Sequence, residues 1–195
     1  MEQVDFAFQH IGLERSEPLR CQPQQLDALW KTALVLVLNE QGEACRLSSQ
    51  QYFYPARNIS LQRPADATFL GLHQEQGFFA ISVAMTQNNV TGTINIRSAA
   101  SDWSSLQSSI FAQAKALLHW QSQSKFCGRC GGLVDLKSAG YSAACSSCGL
   151  ITYPQSWILP MNVLILLLFA AVVLKTARMK VVRISHVLSA TLVFL

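Results

Sequence analysis

Apolar and polar positions alternate in short blocks along the first half of the chain. Residues 32–38 (TALVLVL) form a strand-like run closed by the polar turn Asn39-Glu40-Gln41-Gly42, after which Ala44–Leu47 can return as the partner of a hairpin. Tyr52-Phe53-Tyr54 before Pro55, then Thr68–Leu72 and Gly77–Met85 around the polar connection His73–Gln76, are further strand candidates. Extended backbone alternates faces, so at least one aromatic of 52–54 serves a core rather than stacking on a nucleic-acid base. The period then changes. Trp103, Leu106, Ile110, Ala114, Leu117 and Leu118 recur at three- and four-residue intervals behind the N-cap candidates Ser101-Asp102, which predicts an amphipathic helix from Asp102 to Gln121. Phe126–Tyr153 is glycine-rich, with Gly128, Gly131, Gly132, Gly140 and Gly149, and suits tight turns.

A different texture begins at Trp157. From there to Leu174 runs WILPMNVLILLLFAAVVL, without a charge and about 27 Å long if helical. The basic residues Lys175, Arg178, Lys180 and Arg183 follow, and Ile184–Leu195 is apolar again. These four cations are the whole of the net charge of +4, because residues 1–156 hold equal numbers of basic and acidic side chains. Net charge therefore gives no support to nucleic-acid binding by the part that folds. A hydrophobic fraction of 50% against 13% charged residues excludes a disordered or collagen-like chain. Asp135 is the last acidic residue, so carboxylate-held Mg²⁺ chemistry has no ligands in residues 136–195.

Cys127, Cys130, Cys145 and Cys148 form two Cys-x-x-Cys pairs fourteen residues apart, with Cys21 and Cys45 outside them. The N-terminus has no continuous apolar stretch of the kind a secretory signal needs, which points to a reducing, cytoplasmic setting where paired thiols ligate metal rather than cross-link. Two such turns present four thiolates to one tetrahedral Zn²⁺. With every position taken by sulfur, the ion is structural: it stabilises a short segment that has too little apolar surface to fold alone, and it activates no water. Cys21 and Cys45 read as ordinary small thiols. His10, His73, His119 and His186 are scattered without a ligand pairing, and Lys125 with Arg129 is too little charge for a basic patch. Glu40 and Glu43 flank a turn, Glu75 sits in a polar loop and Asp102 caps a helix, so no pair of helix-borne glutamates is in view.

Some of these residues carry a resemblance. The run AKALLHWQSQSKFCGRCGG (114–132), followed by CSSCG (145–149) and Tyr153-Pro154, closely resembles the NADH pyrophosphatase family of Nudix hydrolases. FLGLHQEQGFFAISV (69–83) is similar to the N-terminal Nudix-like domain of the same family. The resemblance implies a homodimeric, zinc-containing hydrolase that uses Mg²⁺ or Mn²⁺ to cleave the pyrophosphate of NADH or NAD⁺ into nicotinamide mononucleotide and AMP, and in relatives acts on NAD-capped RNA. The family continues from Tyr-Pro into a catalytic domain with the signature G-x5-E-x7-R-E-U-x-E-E-x-G-U (U, aliphatic), and this sequence contains no such run.

The expected architecture is α+β: a Nudix-like domain over 1–100 with a small mixed sheet, a connecting helix over 101–124, a four-cysteine zinc ribbon over 125–154 and an apolar tail over 155–195. Two accounts of the tail stand. It is the product of a shifted reading frame or a truncated gene, leaving an inactive zinc-binding form with no catalytic residues. Alternatively, 157–174 is a membrane anchor for a zinc-ribbon interaction module, which makes the protein membrane-associated. Positive-inside logic would then place 175–183 in the cytoplasm and, for a single span, the cysteines on the opposite side, where thiolates are harder to keep.

Overall fold

The computed structural model describes residues 12–47, 51–85 and 90–154, together with Phe8. The candidate span 157–174, the basic residues 175–183, His10 and His186 lie outside the described residues. Among the described residues no helix is long and apolar enough to cross a membrane.

The sheet is built around β1 (Leu34–Leu38), whose sequence LVLVL lacks a polar position because both of its faces are covered. Val35 and Val37 enter one core, Leu36 and Leu38 the other. Strand β2 (Ala44–Arg46) returns antiparallel after the Asn39–Gly42 turn, and β3 (Phe53–Pro55) pairs with the other end of β1, with Val35 opposite Tyr54. The antiparallel pair β4 (Thr68–His73) and β5 (Gln76–Ser82) joins through β5, which runs parallel to β1 with Leu36 opposite Ala80. A short strand β6 (Gly92–Ile94) closes the far edge against β2, so the order is β4-β5-β1-β2-β6.

One face is covered by α2 (Pro23–Trp30), which follows the single turn α1 (Glu17–Arg20). Leu26 and Trp30, one helical turn apart, are its buried residues. Trp30 meets Phe79 edge-on at 5.2 Å between ring centroids, and its indole Nε1 donates to the Ser60 carbonyl at 3.0 Å. The opposite face receives α4 (Ser105–Gln123) through Ile110, Ala114 and Leu117 of the predicted helical stripe, joined by Phe111, over Leu36, Leu38, Leu70 and Ala80.

The predicted helix start is displaced. Asp102 does not cap α4; it is the last residue of a separate helix α3 (Ile96–Asp102), which is capped by the Asn95 side chain. Trp103 is extended, and α4 begins behind a capping box in which Ser104 and Gln107 exchange hydrogen bonds, each at 3.3 Å. The mixed sheet with its helices and the separate small sheet that follows agree with the α+β expectation.

That second sheet comprises β7 (Val134–Lys137), β8 (Ser142–Cys145) and β9 (Ile151–Thr152), all antiparallel. Its hairpin tip is fastened to the first sheet by two glutamines of α4. Gln121 Nε2 donates to the Gly140 carbonyl at 2.8 Å and to Thr68 Oγ1 at 2.9 Å. Gln113 Nε2 donates to the Leu70 carbonyl at 2.6 Å and to the Tyr141 hydroxyl. The Arg20 guanidinium lies 3.5 Å from the centroid of the Tyr141 ring, completing the attachment from the other side.

Candidate metal centre

Each Cys-x-x-Cys folds into the same turn. The Cys127 carbonyl accepts from Gly131 N–H at 2.9 Å and the Cys127 N–H donates to Gly132 O at 2.8 Å; the Cys145 carbonyl accepts from Gly149 at 3.1 Å and its N–H donates to Leu150 O at 2.9 Å. Gly131 and Gly149 have φ of 72° and 69°, the left-handed conformation that lets the chain turn away after the second cysteine of each pair. This is why a glycine follows both Cys130 and Cys148. The registers Val134 opposite Cys145 and the bridge Phe126 opposite Leu133 set the two turns side by side.

The four sulfurs converge to within 4.8 Å of one another. Cys127 Sγ is 3.6 Å from Cys148 Sγ, and Cys130 Sγ is 3.5 Å from Cys145 Sγ. A disulfide would need ~2.05 Å. Four sulfurs each ~2.3 Å from a central ion stand ~3.8 Å apart, so the observed edges fit a tetrahedral thiolate site. Backbone amides point at the sulfurs: Arg129 N–H at Cys127 Sγ, and the N–H groups of Ser147 and Cys148 at Cys145 Sγ, each at 3.4 Å. The Arg129 amide, followed by that of Cys130, lowers the Cys127 thiol below its usual range. Cys145 falls to about 6, first through the Cys148 amide. The Gly132 amide also favours the Cys130 thiolate, but the neighbouring Cys148 and Cys145 sulfurs outweigh it and push Cys130 up to about 12. Four thiols cannot all ionise side by side without a countercharge, so the cluster is a cation site by charge as well as by shape. Soft sulfur donors in a tetrahedron suit zinc, and no fifth position is left for water or substrate.

Residues 122–153 match the NADH pyrophosphatase zinc ribbon domain. The match spans the end of α4, both cysteine turns and the three strands β7–β9, and all four converging cysteines fall inside it. No curated protein resembles the chain closely enough to count as a relative. Of the chemistry expected upstream of the zinc ribbon domain, the structure brings nothing to the cysteines. Among the described residues, those four are the one cluster of three or more side chains of metal-ligating type. Glu43 accepts from Asn39 Nδ2 at 3.2 Å inside the first hairpin, Glu75 sits in the β4–β5 turn and Asp102 ends α3. Cys45 is a buried core thiol, which burial pushes above its usual range, and Cys21 is exposed. His73 Nδ1 lies 3.0 Å from the Gly12 carbonyl, far in sequence from the ribbon. The residues that pattern reading missed are the attachment set, Thr68, Gln113, Gln121 and Tyr141. Their partners are distant in sequence, and glutamines on a helix surface carry no periodic signal.

Proposed function

We propose that Cys127, Cys130, Cys145 and Cys148 hold one structural zinc ion, and that the chain is the Nudix-like and zinc-ribbon part of an NADH pyrophosphatase-type protein without the carboxylates of the hydrolytic site. The observation that carries this is the convergence of four sulfurs within 4.8 Å inside the segment that matches the family ribbon. Zinc supplies folding free energy there, and the ribbon's own residues do the rest: the amides of Arg129, Ser147 and Cys148 hold the sulfurs charged, and Gln121 and Gln113 anchor the hairpin.

The family reaction, cleavage of the NAD(H) pyrophosphate, needs hard divalent ions held by carboxylates to neutralise phosphoryl oxygens and polarise water. This sequence contains no Nudix signature and no acidic residue in 136–195. The protein's role in this reading is zinc binding and presentation of the N-terminal domain, with a second copy and the dinucleotide as the partner classes the resemblance suggests. Elemental analysis of the purified chain should return one zinc per chain. NADH incubated with it and Mg²⁺ or Mn²⁺ should stay intact; sustained release of AMP would overturn the second half of the reading, and absence of bound metal the first.

The uncharged run Trp157–Leu174 favours a second reading, a membrane-tethered ribbon module. Expressed without detergent, the full chain would then pellet with membranes while residues 1–156 stay in the supernatant.

A further inference from the structure

A cleft of about 280 Å³ opens where the hairpin tip of the ribbon faces the α1–α2 corner, and its walls include Arg20, Leu26, Arg63, Asp66, Leu136 and Lys137. Three cations face one carboxylate there. Arg63 is spoken for: its Nε donates to Asp27 at 2.8 Å, the sole ion pair among the described residues. Arg20 and Lys137 thus have no carboxylate partner among those residues. The Arg20 head is nevertheless held in place, with Nη2 donating to the Arg15 carbonyl at 2.6 Å and Cζ 3.5 Å from the Tyr141 ring centroid. Its buried Nε has no hydrogen-bond partner among the described residues. A stacked, oriented guanidinium with spare donors is preorganised for a planar or tetrahedral oxyanion.

The backbone closing the cleft is unusual as well. Ser138, Ala139 and Gly140 have φ of 50°, 52° and 91°, three consecutive residues in the left-handed region, two of them not glycine. Gln121 holds this conformation through the Gly140 carbonyl, so the ribbon tip is locked over the cleft rather than left to relax. Pro23, Ala65, Leu136 and Ala139 are among the apolar residues of the lining, with Cys21 and Ser138 beside them. The volume lies just below the roughly 300 Å³ lower bound of pockets that take small organic ligands.

We propose that this cleft binds a small phosphorylated ligand of mononucleotide size, its phosphate facing Arg20 and Lys137 and its apolar or planar body against Leu136 and Ala65. The site stands on its own residues and is independent of any hydrolytic activity. Isothermal titration of the zinc-loaded full chain at low salt, with AMP as the probe and adenosine and inorganic phosphate as comparison arms, tests it. AMP should bind saturably at one per chain, and each comparison arm about tenfold or more weakly, since losing a charge-assisted contact or the apolar contact costs on that scale. Lys137→Glu should weaken AMP about tenfold with melting temperature and zinc content unchanged. Leu136→Ser should weaken AMP and leave phosphate as it was. Arg57→Glu, an exposed charge reversal outside the cleft, should change nothing. No saturation by AMP, equal loss from R57E and K137E, or phosphate binding as tightly as AMP would each overturn the proposal.

Discussion

The N-terminal domain and the ribbon solve the same problem with opposite means. In the first, a sheet is buried on both faces: Val35, Leu36, Val37, Phe69, Phe79, Ile110 and Phe111 are all fully buried, and the helices supply the covering apolar stripes. In the second, the large apolar side chains look outward. Phe126, Leu133, Ile151 and Tyr153 are exposed to 66%, 63%, 54% and 63%, while the buried positions are Cys127, Gly140, Ser142, Ala143 and Cys145. Apolar burial of that extent contributes little, since each fully buried large side chain is worth only ~1.5–3 kcal/mol and the ribbon buries none. Four sulfurs at one point take the place of a core. On the proposed zinc reading, one chain carries a region whose stability follows temperature and denaturant through hydrophobic area, and another whose stability follows metal activity.

Metal removal should separate the two most sharply. Structural thiolate sites contribute ~10–16 kcal/mol of apparent binding free energy at neutral pH. A strong chelator, or Cys127→Ser with Cys145→Ser, should unfold residues 126–153 and leave the sheet of β1–β6 intact, read as protease cleavage confined to the ribbon with Trp30 still in its native fluorescence environment. Loss of both regions together would mean that the N-terminal domain depends on the ribbon. The converse comes from the other core. Phe79→Ala removes a ring packed against Trp30 and Phe69 at 5.2 and 5.3 Å and should cost ~3–5 kcal/mol. Zinc stoichiometry should survive it, and a variant that loses metal along with its core would refute the division.

The two regions also differ in how openly the sequence announces them. Cysteine spacing and the glycine after each pair specify the ribbon, because a tetrahedral ion and a left-handed turn admit few alternatives. The first hairpin was equally legible from LVLVL and the Asn39–Gly42 turn. Less so was the break between α3 and α4. Ser104 with Gln107 is a capping-box pattern, yet no glycine or proline marks the break, and the helical period runs back through Trp103. What wins is tertiary: Trp103 packs beside Tyr52, Phe53 and Phe111 at 5.1, 5.6 and 5.4 Å, and extended backbone at 103 puts it there. The helix α2 could have been found from Pro23 at its start and Leu26 and Trp30 on one face. Strand β6 could not, for Gly92-Thr93-Ile94 has no pattern of its own and is held by its pairing with Ala44–Arg46.

Smaller effects sharpen the junction between the regions. Gln121→Ala leaves the buried Thr68 hydroxyl and the Gly140 carbonyl without their donor, a loss of ~1–3 kcal/mol, and it should loosen the hairpin tip. Amide exchange at residues 138–142 should accelerate while zinc stays bound; unchanged exchange would place the attachment elsewhere, at Tyr141 and Arg20. Ser104→Ala removes the acceptor for the Gln107 amide and should cost ~1 kcal/mol of global stability in a denaturant melt, without effect on metal content.

The last effect is visible only in alkali. Burial is the main reason the Tyr141 hydroxyl titrates above its ordinary value of 10, with the nearby Arg20 charge and the Gln113 hydrogen bond opposing it. A group whose folded pKa is raised contributes its stability in full below the unfolded value and loses it as pH climbs toward the folded one. Above pH 10 the unfolded chain releases the phenolic proton that the folded chain retains, so the native junction weakens. Stability measured from pH 9 upward should therefore fall more steeply for the wild type than for Tyr141→Phe, which cannot ionise, although the Phe variant starts lower for want of the Gln113 contact. Equal slopes would mean that Tyr141 is solvated in the native state, and the ribbon would then be joined to the first sheet by Gln121 rather than by the half-buried Tyr141 ring.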